Sequence, residues 1–349
     1  MLSDLEKVVV GMSGGVDSSV TAVLLKEQGY EVIGATMNLW EKGTENTAII
    51  DAQNVAHTLG IEHYVLDFRD GFKKAVVDYF ISEYINGKTP NPCIMCNRYI
   101  KFGALINEAK TLGADYIATG HYARVNYNDP TKRYEIKKAA NDKKDQTYVL
   151  YSLSQEQLAH VLFPLADYSK EEVRKKAGEI GLIVANKPES QEICFVDKDY
   201  TDFIEKNTDY KSKTGNFVDK SGKVIGKHKG VINYTIGQRR GLELSLARPL
   251  YVVDIDVKNN IVVLGDNEDL FSDVLIAHDL NFIPFERLTD EMQVAAKIRY
   301  SQLPAKATIR MIDDDTLECR FDQPQRAITK GQAVVFYDGD VLVGGGVIV

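Results

Sequence analysis

The stretch GMSGGVDSS, residues 11–19, constrains the fold of this chain more than any other. The short β-branched run EKVVVGM (6–12) leads into it and is typical of a buried parallel strand. DSSVTAVLLKEQG (17–29) follows, with apolar residues at helical spacing and a final glycine as a stop signal. Glycines between a strand and a helix let backbone N–H groups approach phosphate oxygens, and the helix dipole favours an anion there. The stretch therefore predicts a phosphate-binding loop at the edge of a parallel sheet.

Two better-known phosphate loops do not fit this stretch. A Walker A loop requires a lysine, which is missing, and the dinucleotide pattern G-x-G-x-x-G is also absent. The pattern S-G-G-x-D-S instead resembles the pyrophosphatase loop of ATP-dependent adenylating enzymes. That resemblance implies that the loop holds the β- and γ-phosphates of ATP, that Asp17 helps to hold Mg²⁺, and that Ser13, Ser18 and Ser19 offer hydroxyls.

Two later strands end at Met37 and Gly120, and both strand ends would lie on the same rim of the sheet as the loop. The adenosine of ATP has to bind at this rim. The predicted ATP site consists of Gly11, Met12, Ser13, Gly14, Gly15, Val16, Asp17, Ser18, Met37 and Gly120.

The rest of the chain divides into an alternating first part and a hairpin-rich second part. Predicted strands at 30–37, 61–68 and 114–122 alternate with predicted helices at 47–60, 71–87 and 101–113. After about residue 205, short alternating runs joined by Gly, Asn and Asp turns indicate antiparallel hairpins. We predict an α/β fold: a doubly wound parallel-sheet adenylating domain (1–205), a small central β domain (206–272) and a C-terminal β-barrel-like domain (273–349).

Composition bounds the setting of the protein. The chain has 349 residues, no apolar run long enough for a membrane span and no signal-peptide layout at its start. The 4 cysteines are too few for a disulfide scaffold, so we expect a cytoplasmic protein with reduced thiols and no membrane partner. The net charge of −8 argues weakly against nucleic-acid binding, although such a sum hides local patches such as the basic stretch 223–240.

The cysteines carry the second chemical signal. Cys93 and Cys96 form a C-x-x-C pair in a loop-like stretch, and Cys194 lies in another stretch rich in polar residues. Cys319 alternates within a predicted strand, which is typical of a small core residue. A structural zinc site would need a fourth ligand at suitable spacing, and no oxidoreductase scaffold surrounds the pair. Sulfur transfer and iron–sulfur ligation remain open at this point.

Taken in order, seven motifs resemble the bacterial tRNA-specific 2-thiouridylase family over nearly the whole chain. They are GMSGGVDSS, TPNPCIMCNRYIKFG, ATGHYARV, KDQTYVLYSL, KPESQEICFV, YTIGQRRGL and KGQAVVFYDGDVLVGGG. The resemblance implies adenylation of O2 of the wobble uridine, followed by attack of sulfur on C2. It implies ATP and Mg²⁺, a tRNA of the Lys, Glu or Gln type, and a sulfur donor such as a cysteine desulfurase or a persulfide carrier.

The resemblance also implies roles for single residues. Cys96 matches the family's nucleophile and Cys194 its persulfide-carrying cysteine; both would need partly exposed, electropositive settings, which Arg98 and Lys101 would help to provide. The residues that match tRNA contacts are Asn91, Pro92, Cys93, His121, Lys144, Asp145, Gln146, Arg299, Tyr300 and Gln332.

Cys93 departs from the family pattern, because many members have an aspartate at this position. It adds a third soft ligand to Cys96 and Cys194, and three thiolates can hold a [4Fe–4S] cluster with one iron open. Two mechanisms follow: a persulfide relay through Cys194 and Cys96, or a cluster-dependent transfer that uses all three thiols. On the sequence alone we favour the cluster.

Two other function classes share parts of these motifs. A ligase or amidotransferase that acts on a small molecule can use the same adenylating loop, but it would not need Cys194 or the C-terminal β domains. A non-catalytic RNA-binding protein is the other class, and the intact Asp17, Cys96 and Cys194 argue against it.

Overall fold

The computed structural model describes residues 5–40, 47–188, 193–197, 199–244 and 248–349. Residues 189–192 of the motif KPESQEICFV therefore lie outside the described part. The first elements are β1 (Lys7–Gly11), α1 (Val16–Glu27), β2 (Glu31–Asn38), α2 (Thr47–Leu59), β3 (Glu62–Asp67), α3 (Arg69–Phe72), α4 (Asp78–Ile85), α5 (Pro92–Met95), α6 (Leu105–Thr111) and β4 (Tyr116–Ala118). π-Helical segments join α3 to α4 (Lys73–Val77) and α5 to α6 (Cys96–Ala104).

The chain continues through a hairpin and further short helices. These elements are β5 (Ala123–Asn128), β6 (Arg133–Lys138), a 3₁₀ turn (Thr147–Leu150), α7 (Gln155–Leu158), β7 (Val161–Leu162), α8 (Lys170–Glu179) and α9 (Tyr200–Asn207). Two of the helices, α7 and α8, begin with a capping box, in which the N-cap serine and the third helical residue satisfy each other's backbone N–H groups.

The first sheet is parallel and doubly wound, as predicted. Its strand order is β3-β2-β1-β4-β7, so the chain moves outward from β1 to β3 and then returns to the other side of β1 with β4. The order reverses between β1 and β4, and ligands of such sheets bind at this switch point, beyond the carboxyl ends of the strands. The glycine-rich loop follows β1 directly, which places it at that point.

Two antiparallel-rich sheets make up the second part of the chain. Its strands are β8 (Gly215–Asp219), β9 (Val224–His228), β10 (Tyr251–Asp256), β11 (Ile261–Gly265), β12 (Phe271–Phe282), β13 (Met292–Lys297), β14 (Ala305–Met311), β15 (Leu317–Arg326), β16 (Ala333–Asp338) and β17 (Val341–Ile348). The strands β8–β11 form a four-stranded sheet, and β12 pairs with both β15 and β17, which closes the C-terminal strands into a barrel. The predicted pair of β domains is confirmed.

The hairpin β5–β6 was not predicted, and it joins the first domain to the barrel. Lys137 pairs with Val341, so the hairpin extends the barrel sheet towards the first domain. Buried side chains of both regions also share one hydrophobic core, in which the Tyr148 hydroxyl donates to the carbonyl oxygen of Ala333 at 2.8 Å. The shared core fixes the barrel against the first domain.

No helix in the described ranges is long and apolar enough to cross a membrane.

Candidate active site

The predicted phosphate loop takes a backbone shape that only glycine allows. Gly14 has a φ of 66°, and a Cβ atom on it would lie 2.4 Å from the carbonyl oxygen of Ala48 in α2. A side chain would therefore strain the backbone and overlap α2. Gly15 then forms the N-cap of α1 and has no side chain to cap it. The first N–H groups of α1 thus present an anion-binding position.

The serines of the loop divide into two kinds. Ser18 and Ser19 are buried and both donate to the carbonyl oxygen of Gly15, at 3.2 and 2.9 Å. Ser18 Oγ also accepts the backbone N–H of Ser13 at 3.1 Å. These two hydroxyls therefore hold the loop in shape, whereas Ser13 is exposed and its hydroxyl lies 3.3 Å from Ser18 Oγ.

We expect Gly14→Ala to destabilise the protein by at least about 2 kcal/mol, because it adds left-handed backbone strain to a steric overlap with α2. Thermal unfolding in the absence of nucleotide measures the effect. Gly15→Ala is the matched control, since its Cβ would meet only Ser13 Oγ, at 3.4 Å. Equal melting temperatures for the two variants would contradict the shape assigned to the loop.

Asp17 lies in the first turn of α1 and binds two partners that the sequence did not reveal. Lys170 Nζ lies 2.7 and 2.8 Å from its two carboxylate oxygens, and the Tyr122 hydroxyl donates to it at 2.8 Å. Lys170 is only 8% exposed and stands at the start of α8. The glycine-rich loop contains no lysine, but α8, far along the chain, places the ammonium group of Lys170 next to it.

A second lysine ties the loop to the segment that leads towards Cys194. Lys187 Nζ donates to the carbonyl oxygen of Gly14 at 2.9 Å and pairs with Asp51 of α2 at 2.6 Å. The phosphate loop, α2 and the start of the KPESQEICFV segment are thus connected through one ammonium group.

The structure also places the predicted adenosine side of the site. Gly120 follows β4 so closely against α1 that a Cβ atom on it would lie 2.8 Å from the backbone nitrogen of Ser18. Met37 is near the end of β2, and Met12 hydrogen-bonds to that strand through its N–H to Ala35 at 2.7 Å. The loop and both strand ends therefore share one rim, where contacts with adenosine remain a prediction.

The cysteine pair does not lie on a loop, and that expectation was wrong. The Asn91 side chain caps the short helix α5 by accepting the N–H of Cys93 at 3.1 Å, and Pro92 occupies the first helical position. Cys96 then begins the π-helical segment. Asn-Pro is a helix-start signal, because asparagine supplies a cap and proline needs no N–H partner there. π-Helical turns occur frequently at functional sites.

Cys96 is buried, which contradicts the expectation of a partly exposed, electropositive setting. Burial raises the pKa of its thiol to about 12; Lys101 opposes this shift, whereas Cys194 and Cys93 add to it. The guanidinium of Arg98, which we expected to help, pairs instead with Asp279 at 2.8 Å. In this conformation Cys96 is held as a neutral thiol.

We expect Cys96 to react with iodoacetamide about a thousandfold more slowly than the exposed Cys93 at pH 8, because the thiolate is the reactive form. Its rate should rise about tenfold for each pH unit below its raised pKa, as the thiolate fraction grows. Mass spectrometry of the alkylated peptides separates the sites. Equal alkylation rates at pH 8 would contradict the burial of Cys96.

The three thiols come from two distant parts of the chain but lie in the same region of the first domain. Cys93 and Cys194 are exposed, and both lie close enough to Cys96 for their charges to raise its pKa. Across the described ranges, however, no three His, Cys, Asp or Glu side chains are grouped as metal ligands. In this arrangement the thiols do not fit a [4Fe–4S] cluster, which therefore stays a prediction. Cys319 is buried in the barrel, as expected of a core residue.

Several of the predicted tRNA contacts lie where the barrel meets the first domain. The Tyr300 hydroxyl is 3.5 Å from the carbonyl oxygen of Asp145, and Gln332 donates to the carbonyl oxygen of Thr89, two residues before Asn91. Arg299 donates to the carbonyl oxygen of Ala327. The structure thus brings together residues that are far apart in sequence, and their contact with tRNA remains a prediction.

The other predicted contacts lie on the nucleotide side. Lys144 is half-buried. Two residues later, Gln146 Oε1 accepts the backbone N–H of Tyr122 at 3.0 Å. Because the Tyr122 hydroxyl donates to Asp17, this segment is connected to the phosphate loop. His121 is buried, with its Nδ1 2.7 Å from the Thr119 hydroxyl, and burial lowers its pKa well below the usual range. In this conformation His121 is a neutral, enclosed side chain.

Comparisons with known proteins cover the whole length of this arrangement. A family model described as the tRNA methyl transferase HUP domain matches residues 6–198. Models described as the tRNA methyl transferase PRC-barrel domain and the aminomethyltransferase beta-barrel domain match residues 201–266 and 272–348. Among solved structures, the U34-tRNA thiolase NcsA from Methanococcus maripaludis, described with its [4Fe-4S] cluster, is 24% identical with a TM-score of 0.35 over 58% of this chain and 64% of that chain. A similarity this low does not extend to the bound cluster.

Full-length relatives are far closer. The tRNA-specific 2-thiouridylase MnmA of Acetivibrio thermocellus is 55% identical over 98% of this chain and 99% of that protein. The tRNA-specific 2-thiouridylase MnmA of Clostridioides difficile is 54% identical over 98% of both chains. The chain therefore belongs to the tRNA-specific 2-thiouridylases, a family of tRNA sulfurtransferases.

Proposed function

We propose that this protein uses ATP to convert the wobble uridine of a tRNA into 2-thiouridine, with sulfur delivered through Cys194 and Cys96. The observation that supports it most is that Cys194, far from Cys96 in sequence, lies close enough for its charge to act on the Cys96 thiol. A glycine-rich anion site in the same domain supplies the means to activate an oxygen.

The first step is adenylation. O2 of the uridine attacks the α-phosphorus of ATP, an O–P bond forms, and pyrophosphate leaves with the electrons of the broken bond. The first N–H groups of α1 and the Ser13 hydroxyl would bind the departing phosphates. Asp17 fits a magnesium ion as a carboxylate ligand, and Mg²⁺ when bound neutralises charge on pyrophosphate.

Lys170 has two roles in this account. Without nucleotide it neutralises Asp17, because an unpaired carboxylate in this half-buried position would be costly. Its long stem lets the ammonium turn towards the triphosphate when Asp17 takes a metal ligand role. The lysine would thus supply the charge that the loop itself does not carry.

The second step moves sulfur. A donor protein first loads Cys194 as a persulfide, and the terminal sulfur attacks C2 of the adenylated uridine, which releases AMP with O2. The Cys96 thiolate then attacks the Cys194 sulfur and breaks the S–S bond, which leaves sulfur on C2. The product is a Cys96–Cys194 disulfide, and an external dithiol reduces it before the next turnover.

This sequence requires Cys96 to lose its proton, although burial disfavours the thiolate. Before sulfur is released, tRNA binding at the surrounding residues therefore has to expose Cys96 to solvent or bring positive charge close to its thiol. The burial also protects the nucleophile from oxidation between turnovers.

Cys93 supports a second candidate mechanism, because it is a third thiol beside the other two. A cluster held by Cys93, Cys96 and Cys194 would need these side chains to regroup from their present arrangement. Anaerobic iron and acid-labile sulfide analysis of the wild type and Cys93→Ala distinguishes the two. Iron in the wild type, and its loss together with thiolation in Cys93→Ala, would favour the cluster over the relay.

The tRNA dependence of ATP–pyrophosphate exchange tests the proposed function directly. We expect exchange only with unmodified tRNA, since uridine O2 is the attacking group. A ligase or amidotransferase for a small molecule would exchange pyrophosphate without tRNA, and that result would overturn the proposal.

A further inference from the structure

Lys297, at the end of β13, lies beside a pair of aromatic rings. Its ammonium nitrogen lies 5.7 Å from the ring centre of Tyr148 and 5.4 Å from that of Tyr300. The rings meet edge to face with their centres 6.0 Å apart. Tyr148 is buried and Tyr300 is exposed, so the pair leads from the core to the surface.

Within the described residues the charge of Asp145 acts on this lysine but forms no ion pair with it. The nearby Asp145 is occupied elsewhere, because its carboxylate accepts the N–H of Ala139 at 3.3 Å and the hydroxyl of Thr147 at 2.7 Å. In the part of the chain that the structure describes, no ion pair within 4.0 Å joins Lys297 to an acidic group. Partial burial lowers the pKa of Lys297, and the negative charge of Asp145 offsets part of this effect.

Lys297 and Arg299 lie two residues apart, and each has a second cation close enough to act on its pKa; we call Lys138, Lys297, Arg299 and Arg326 the basic cluster. Lys138 lies over the ring of Tyr337 at 4.9 Å, and its charge acts on Lys297. Arg326 lies over the ring of Tyr251 at 5.2 Å, and its charge acts on Arg299. Like charges in each pair disfavour one another, which favours the binding of an anion at this place.

We propose that Lys297, beside the ring pair of Tyr148 and Tyr300, binds a backbone phosphate of the tRNA and fixes the register of the substrate. This inference rests on the proposed function and deepens it. A phosphodiester would supply the missing negative charge, and an exposed tyrosine beside it would offer a face to a neighbouring base. A lysine acts here as a point charge, so it would contribute affinity without reading the sequence.

The alternative is a purely structural lysine whose stem packs on the rings. The two differ in the salt dependence of tRNA binding, because each phosphate contact releases a counterion. Filter binding of unmodified tRNA between 50 and 200 mM KCl measures the slope of log K against log salt concentration.

We expect Lys297→Gln to weaken tRNA binding about tenfold at low salt and to reduce the slope by about 1. Lys297→Arg should restore the slope, since it keeps the charge. Lys306→Gln is the matched control, because Lys306 is an exposed lysine on the neighbouring strand β14. Thermal unfolding of each variant shows that the fold is retained.

An unchanged slope in Lys297→Gln, or an equal loss in Lys306→Gln, would overturn this inference. The proposed function can fail independently of this inference. If the wild-type protein binds tRNA with this slope but forms no 2-thiouridine, only the proposed function is refuted. Absence of tRNA binding by the wild type would refute both.

Discussion

Replacing Cys194 with alanine is expected to lower 2-thiouridine formation by at least about a thousandfold while tRNA-dependent ATP–pyrophosphate exchange continues. The variant loses the atom that carries sulfur, whereas the adenylation step depends on α1, Asp17 and Lys170. Mass spectrometry of digested tRNA measures thiolation, and radiolabelled pyrophosphate measures exchange on the same protein preparation.

Cys319→Ala is the control for this result, because Cys319 is a fully buried thiol in the barrel that no step uses. It should retain thiolation even if the small cavity costs about 1 kcal/mol of stability. If Cys194→Ala kept its thiolation activity, or lost exchange to the same extent, the assigned role of Cys194 would be wrong.

Replacing Lys170 with methionine is expected to reduce ATP–pyrophosphate exchange by at least about a hundredfold. Methionine keeps most of the buried stem but removes the only cation that the structure places on both oxygens of Asp17 in the described residues. Asp17 would then be left uncompensated next to the phosphate site, which repels the triphosphate. Exchange rates at saturating tRNA give the measurement.

A surface ion pair between the same two helices provides the matched control. Lys176 of α8 pairs with Glu27 of α1 at 2.7 Å, and both are more exposed than Lys170. Lys176→Met should change exchange by less than twofold, because exposed pairs contribute about 0–1 kcal/mol. Similar losses in both variants would indicate a general role of the ion pairs between these helices rather than a role at the phosphates.

The fold of the first domain could be predicted from local signals. The run before Gly11 and the helical spacing after it were sufficient to place a strand, a loop and a helix in order, because parallel strands are buried on both faces. The barrel was also recognisable from its short alternating strands. The hairpin β5–β6 escaped notice, since its contribution to the barrel depends on a pairing with Val341, far along the chain.

The predictions for the site were least complete where distant residues meet. Nothing local to Lys170 or Tyr122 indicates a contact with Asp17, because their approach depends on how α8 and β4 pack against α1. The helical start of the segment with Cys93 and Cys96 could have been predicted from Asn91 and Pro92, but the many polar residues suggested a loop instead. The burial of Cys96 is a tertiary property that the motif itself does not contain.

2-Thiouridine is the expected product of this protein, so the nucleosides of cellular tRNA provide the most direct test. Mass spectrometry of total tRNA from cells that lack this protein should show loss of 2-thiouridine at the wobble position, and the restored wild-type gene should return it. Unchanged 2-thiouridine in cells without the protein would contradict the account.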